Sequence, residues 1–245
     1  MTDTRPVALV TGAARRVGAA IARALHAAGY DLALHCRHSR SELDELAAQL
    51  EQQRPRSVLV LQADLDNVEM LPDLVDAALE RFGRLDALVN NASTFEPTPL
   101  GSTTPAQWET LLSSNARAPF FLAQAAAAAL ANARGCIVNL VDVYAERPLA
   151  RHAVYCMAKA ALLMMTRSLA LDLAPDVRVN AIAPGAILWP ESGKSSSEQQ
   201  SLLARIPLAR CGTPEDVASA VHWLLQSPYV TGEVLHVDGG RSLAI

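Results

Sequence analysis

The segment Val7-Ala8-Leu9-Val10-Thr11-Gly12-Ala13-Ala14-Arg15-Arg16-Val17-Gly18 decides the fold. An apolar run ends in a turn of small residues, and a helical pattern starts at once. Gly12 permits a tight turn. Ala13 and Ala14 are small enough for backbone N–H groups to approach a pyrophosphate. Gly18 lets the following helix pack close to a sheet, with its positive N-terminal end toward the phosphates. Arg15, Arg16 and Val17 complete the mouth of this expected dinucleotide site. Position 16 departs from a GxGxxG-like pattern, in which glycine is expected there. Arginine instead adds positive charge beside phosphate or another anionic ligand.

Outward from this turn, apolar runs alternate with helical patterns to the end of the chain. Strand-like runs are 7–11, 31–36, 57–63, 85–90, 136–141, 178–182 and 234–237. Helical stretches are 16–28, 41–53, 67–82, 105–131, 153–173 and 214–226. The strands are continuously apolar, which suits a parallel sheet covered on both faces. The expected fold class is therefore α/β, a Rossmann-type doubly wound parallel seven-stranded sheet with helices on both faces. No linker, repeat or charge run divides the chain, so 1–245 is expected to be a single domain. One segment breaks the pattern: Ile187–Gln200 is polar and Ser-rich. It reads as a surface loop or as a mobile substrate lid at 186–200, since open α/β sheets bind ligands beyond the C-terminal strand ends.

Composition narrows the function classes. The 245 residues are 51% hydrophobic and 19% charged, which excludes a disordered chain. The net charge of −4 disfavours a partner held by phosphate neutralisation, so no nucleic acid is expected. No run of 18 or more apolar residues is present, and no membrane association is expected. The N-terminus is polar and lacks a basic-then-apolar leader pattern. The four cysteines (Cys36, Cys136, Cys156, Cys211) show no CxxC spacing and no Cys/His cluster. They read as reduced thiols of a cytoplasmic protein without a metal.

The strand 2 end, Leu34-His35-Cys36-Arg37-His38-Ser39, identifies the expected cofactor. An NAD site wants a carboxylate here for the ribose 2′-OH. Arg37, His38 and Ser39 instead offer donors for a 2′-phosphate, so NADPH is expected over NADH. Asp64-Leu65, after strand 3, places a carboxylate where it could accept from the adenine amino group. After strand 5, Tyr155 and Lys159 fall four residues apart on one helix face. A nearby ammonium is expected to lower the tyrosine pKa from about 10 and make Tyr155 a proton donor near neutral pH.

These residues resemble the short-chain dehydrogenase/reductase family over essentially the full length. The resemblance is carried by the turn at 11–18, Asp64, Asn90-Asn91-Ala92, Asn115, Tyr155 with Lys159, Pro184-Gly185 and Val237-Asp238-Gly239-Gly240. It implies that Asn115 orders a relay water beside Lys159 and that Lys159 also binds the nicotinamide ribose. It implies that His35, Asn91, Ala92 and Ser93 line the cofactor and that Pro184, Gly185, Ala186, Ile187 and Leu188 lie near the nicotinamide. A homotetramer built through 105–131, 153–173 and the C-terminal region is also implied.

Two departures sharpen the reading. The family's usual serine, thirteen residues before the tyrosine, is Asp142, and the usual NNAG is Asn90-Asn91-Ala92-Ser93. Together with Arg16 and Phe95, this is similar to the pteridine reductases within the family. That likeness implies a pterin or folate substrate held by Arg16, Ser93, Phe95, Asp142 and Tyr155, with Lys159 in the same set. An ionised aspartate would repel the alkoxide that develops during ketone reduction, whereas a pterin presents a C=N bond and several N–H donors. Leu188 and Trp189 are expected near the substrate. For Tyr144 and Arg147, substrate contact and surface placement both stand open. The competing readings are a dihydromonapterin or dihydrofolate preference, a carbonyl reductase acting on 3-oxoacyl thioesters, and a non-catalytic NADP sensor.

Overall fold

The computed structural model describes residues 5–188 and 196–244. Its elements are β1 (Val7–Val10), α1 (Arg16–Ala27), β2 (Asp31–Cys36), α2 (Arg40–Gln53), β3 (Val58–Gln62), α3 (Leu71–Phe82), β4 (Ala87–Asn90), α4 (Pro105–Leu112), α5 (Ala118–Ala133), β5 (Cys136–Leu140), α6 (Ala153–Asp172), β6 (Arg178–Pro184), α7 (Ser196–Leu203), α8 (Pro214–Gln226) and β7 (Val234–Val237). The seven strands form one parallel sheet in the order β3-β2-β1-β4-β5-β6-β7. The order reverses between β1 and β4, and ligands bind at such a switch point in open α/β sheets.

Strand alternation builds the two cores. Ala8 and Val10 of β1 face the layer made with α1, α2 and α8, while Val7 and Leu9 face the layer of α3 and α5. The inner strands are apolar on both faces because both faces are covered. A third apolar cluster, with Leu162 and Leu163 of α6 against Ala181 and Ala183 of β6, packs α6 onto the sheet.

Three features differ from the sequence expectations. The stretch 105–131 is not one helix. It divides into α4 and α5 around a wide π-helical turn at Ser113–Arg117. The polar segment 186–200 is not loop throughout, since α7 begins at Ser196. Finally, α6 is long and apolar enough to cross a membrane by length and composition. Its sequence includes Lys159, and its apolar face covers the sheet, so it is a core helix here.

Candidate active site

The turn after β1 is fastened from two sides. Thr11 Oγ1 accepts from the backbone N–H groups of Asn91 and Ala92, each at 3.0 Å. Asn91 Nδ2 donates back to the carbonyls of Thr11 (2.9 Å) and Gly12 (3.0 Å). From β2, His35 Nδ1 accepts from Gly12 N–H at 3.4 Å, and its Nε2 lies 3.1 Å from the Ala63 carbonyl, to which it must donate. Burial holds the His35 pKa below its usual value, which preserves this neutral tautomer. His35 and Asn91, expected as cofactor contacts, thus also spend their polar atoms shaping the turn.

The glycines are required by space. A Cβ on Gly18 would sit 2.1 Å from the Gly12 carbonyl oxygen. Gly12 itself has φ +63, and a Cβ there would meet Ala92 Cα at 2.9 Å. Arg16 takes φ +50, a conformation that disfavours every residue with a side chain. The glycine expected there from the pattern would adopt it freely. Strain of this kind persists where function requires the side chain.

A cavity of about 400 Å³ opens above this turn. Arg15, Arg16, Val17 and Gly18 form one wall; Asn91, Ala92 and Ser93 form another. His35, Arg37, Asp64 and Leu65 line the far end. The donor set fits an anionic dinucleotide. Helix α1 opens with no side-chain cap and no acidic residue in its first turn, so its leading N–H groups have no carboxylate competitor. At the β2 end, His38 is exposed and Ser39 half-buried. Arg37 pairs with Asp64 at 3.0 Å and reaches toward Asp66 at 4.0 Å. Asp64, expected at adenine, therefore faces Arg37. Both partners are exposed, so the pair is weak and separates at little cost.

The reaction centre lies beside the cavity. Tyr155 Oη donates to Asp142 Oδ2 at 2.8 Å. Asp142 Oδ1 accepts from the Tyr144 backbone N–H at 3.0 Å, as the cap of a short 3₁₀ turn at Val143–Ala145. Lys159 is 2% exposed, with Nζ donating to the Leu140 carbonyl at 2.8 Å and lying 5.8 Å from the Tyr155 ring centre. Asn115 is fully buried in the π-helical turn. Its Oδ1 accepts from Ser93 Oγ at 2.7 Å, and its Nδ2 donates to the carbonyls of Thr94 (2.9 Å) and Leu111 (3.0 Å). Asn115 thereby ties the cavity wall at Ser93 and Thr94 to the end of α4; no bond from it to Tyr155, Asp142 or Lys159 is present among the described residues.

Phe95 is 56% exposed and stands edge-on to Tyr155, with ring centres 4.8 Å apart. His152 stacks on one Phe95 face at 4.7 Å. This partner was not anticipated. Nor was Thr98, whose backbone pairs with the 151–152 segment and whose hydroxyl accepts from Val154 N–H at the start of α6. Both depend on a contact between the 93–99 segment and α6 that leaves no local pattern. Among the residues expected at the nicotinamide, Pro184 ends β6 and Gly185 N–H donates to the Val237 carbonyl at 3.0 Å. The Ala186 carbonyl accepts from Gly212, Ile187 is buried, and Leu188 is exposed. Trp189 lies outside the described residues. Tyr144 is half-buried and bonded to Arg241, while Arg147 is exposed.

The electrostatics correct one expectation. Tyr155 is not lowered but held well above its usual pKa, by burial first and by the Asp142 carboxylate next. Burial also raises Asp142, against the pull of Lys159 and Arg241. Burial lowers Lys159 to about 8, with Asp142 opposing. The three groups form one coupled proton store in which the carboxyl, not the ammonium, is the tyrosine's immediate partner.

Lys159 consequently costs stability. Below pH 8 both folded and unfolded chains hold its proton and the burial penalty stands in full. Between about 8 and the free lysine value near 10.4, the unfolded chain binds more protons, so this group makes stability rise with pH. The expected result is that Lys159→Met melts at or above the wild-type temperature at pH 7, with the difference shrinking toward pH 10. Thermal melts across that range check it; a variant that melts below wild type at pH 7, or a difference that does not shrink as the pH rises, refutes it.

The comparisons with known proteins agree with this geometry. The family profile described as enoyl-(acyl carrier protein) reductase matches residues 12–242. Pteridine reductase 1 of Leishmania tarentolae is 40% identical, covering 99% of this chain and 98% of that protein. A 3-oxoacyl-[acyl-carrier-protein] reductase of Synechocystis sp. is 34% identical, covering 97% of each chain. Glucose 1-dehydrogenase 2 of Bacillus subtilis is 34% identical, covering 98% of this chain and 96% of that protein. With the parallel sheet, the glycine turn and the Tyr155/Lys159 pair, these matches place the chain in the short-chain dehydrogenase/reductase family of oxidoreductases.

Proposed function

We propose that the protein is a cytoplasmic NADPH-dependent pteridine reductase, reducing a pterin C=N bond toward the tetrahydro form, with dihydrofolate as a further candidate substrate. The observation that carries this reading is the Tyr155 Oη to Asp142 Oδ2 hydrogen bond at 2.8 Å, in the place where a ketone reductase presents a serine. The likeness to pteridine reductase 1 supports it. Cys36, Cys136 and Cys156 are thiols, which suits a reducing compartment.

When bound in the cavity held by the turn after β1, NADPH would supply a hydride for a ring carbon. The chain's residues manage the proton that must reach the adjacent ring nitrogen. Tyr155 presents a phenol kept protonated by burial, and Asp142 stands behind it as acceptor and reservoir. Net transfer of one hydride and one proton converts C=N to CH–NH. Phe95 offers its remaining face to a flat ring, with His152 occupying the other. Arg16 offers donors, and Ser93 Oγ an acceptor, where the cofactor cavity meets the substrate. Lys159 would hold the nicotinamide ribose, and Arg37, His38 and Ser39 a 2′-phosphate.

The decisive assay follows NADPH oxidation against dihydrobiopterin, dihydromonapterin, dihydrofolate, biopterin, folate and an acetoacetyl thioester. Turnover on a pterin or folate is expected, falling by roughly 10²-fold or more in Asp142→Asn. Turnover on the thioester alone, indifferent to Asp142, would favour the carbonyl reductase reading. Arg16→Gly separates strain from binding. Removing about 1 kcal/mol of left-handed strain offsets the added chain entropy of glycine, so stability stays nearly unchanged. NADPH or pterin affinity is expected to fall, as read by fluorescence titration. Unchanged affinity for both would remove Arg16 from the site.

A homotetramer is part of the proposal. Trp108, Phe120, Phe121, Met157 and Met164 expose apolar surface on α4, α5 and α6. Light scattering after gel filtration should give about four times the 26.1 kDa chain mass. A monomer at micromolar concentration would contradict it.

A further inference from the structure

The Asp238–Ser242 turn reaches the reaction centre from β7. Asp238 builds it, accepting from the backbone N–H groups of Gly240 (2.8 Å) and Ser242 (2.7 Å). Gly239 and Gly240 take φ of +64 and +84, which glycine allows, and the chain doubles back. Arg241 is thereby directed at the loop after β5. Its Nη2 donates to Tyr144 Oη at 2.7 Å, and the guanidinium carbon lies 5.3 Å from the Tyr144 ring centre. Its buried Nε has no acceptor among the described residues. Beside this contact, His236 Nε2 and Glu146 Oε2 lie 3.1 Å apart and fasten the same two segments a second time.

Tyr144 connects this turn to the chemistry. Its backbone N–H holds Asp142 Oδ1, while Tyr155 holds Asp142 Oδ2. One carboxylate is thus fixed from two directions, and one of the two is anchored by Arg241. We propose that Arg241 is a positioning residue, which orients Asp142 through Tyr144 and supplies the cation that faces its carboxyl from the β7 side. The inference deepens the proposed role of Asp142 and rests on it.

The groups facing Asp142 can be named from every side. Tyr155 and Lys159 approach from α6, Tyr144 from the 3₁₀ turn, and Arg241 from beyond β7. The Cys156 thiol bears on both Tyr144 and Tyr155. Glu146 is occupied by His236. Lys159 and Arg241 are the two cations that favour the ionised carboxyl against its burial. Lys159 carries a burial cost of its own as a cation.

The test titrates Asp142 directly in the cofactor-free protein by NMR with carboxyl-labelled aspartate. Its resonance is assigned by its loss in Asp142→Asn. Arg241→Gln keeps an N–H donor for Tyr144 but removes the charge. The Asp142 midpoint is expected to rise by about half a pH unit or more, roughly a threefold weaker ionisation. Arg241→Lys should restore most of the wild-type midpoint. Tyr144→Phe, which frees the guanidinium while leaving the backbone donor in place, should raise it in the same direction. It also carries the test if Arg241→Gln does not fold. An unchanged midpoint in Arg241→Gln, or in Tyr144→Phe should that variant carry the test, overturns the inference, as does a lysine that restores nothing. Because no substrate is used, absence of pterin turnover would sink the proposed reaction without touching this result.

Discussion

Gly12 and Gly18 approach each other so closely that no side-chain atom fits between them, and the architecture of the site follows from that contact. It brings the start of α1 against the end of β1 and points its uncapped N–H groups into the cavity. Thr11 and Asn91 then tie the same turn to the end of β4. The crevice where the strand order reverses is therefore laced shut below and open above. The segment leaving β4 is thereby set running past the cavity toward Phe95 and Thr98, which meet α6. Every later placement, including that of Tyr155, inherits its position from this chain of close contacts.

The reaction centre is built at a cost in stability. A lysine, an aspartate and a tyrosine share a space with little water, and burial works against the charged form of each. Buried polar groups persist when their partners are supplied. Here Leu140, Tyr144 and the two acids themselves supply them. Beneath lies a further polar ladder, Asn90 to Asn139 to Thr166, crossing from β4 through β5 to α6. It pins the helix that carries Tyr155 and Lys159 to the strands beneath it.

What was legible in the sequence was periodic or local. The alternation of apolar runs and helical patterns yields all seven strands, because a two-sided parallel sheet demands continuous apolar segments. The glycine turn and the Tyr155/Lys159 spacing are local, and they are where expected. The break at Ser113–Arg117 was hidden, since the stretch through 105–131 keeps a helix-compatible composition across it. The sign of the Tyr155 shift was misread for a different reason. Lys159 is four residues away in sequence, but burial and the Asp142 carboxylate, bonded to the phenol from just past β5, outweigh its ammonium. Arg241 stands 97 residues from Tyr144, and no spacing rule spans such a distance.

The π-helical turn has a consequence for how this site can change. An α-helix advances about 100° per residue, so one extra residue in a turn rotates all that follows by that angle. At Ser113–Arg117 the widened turn keeps Asn115 inward while α5 continues with Phe120 and Phe121 outward. A single-residue deletion there would restore ideal helix geometry and throw the two faces out of phase. The core fixes the buried residues of α5, such as Leu122, Ala126 and Leu130, and the phase fixes the length of the rod as well. The wide turn acts as a phase shifter between an inward face that carries Asn115 and an outward face that meets the surroundings.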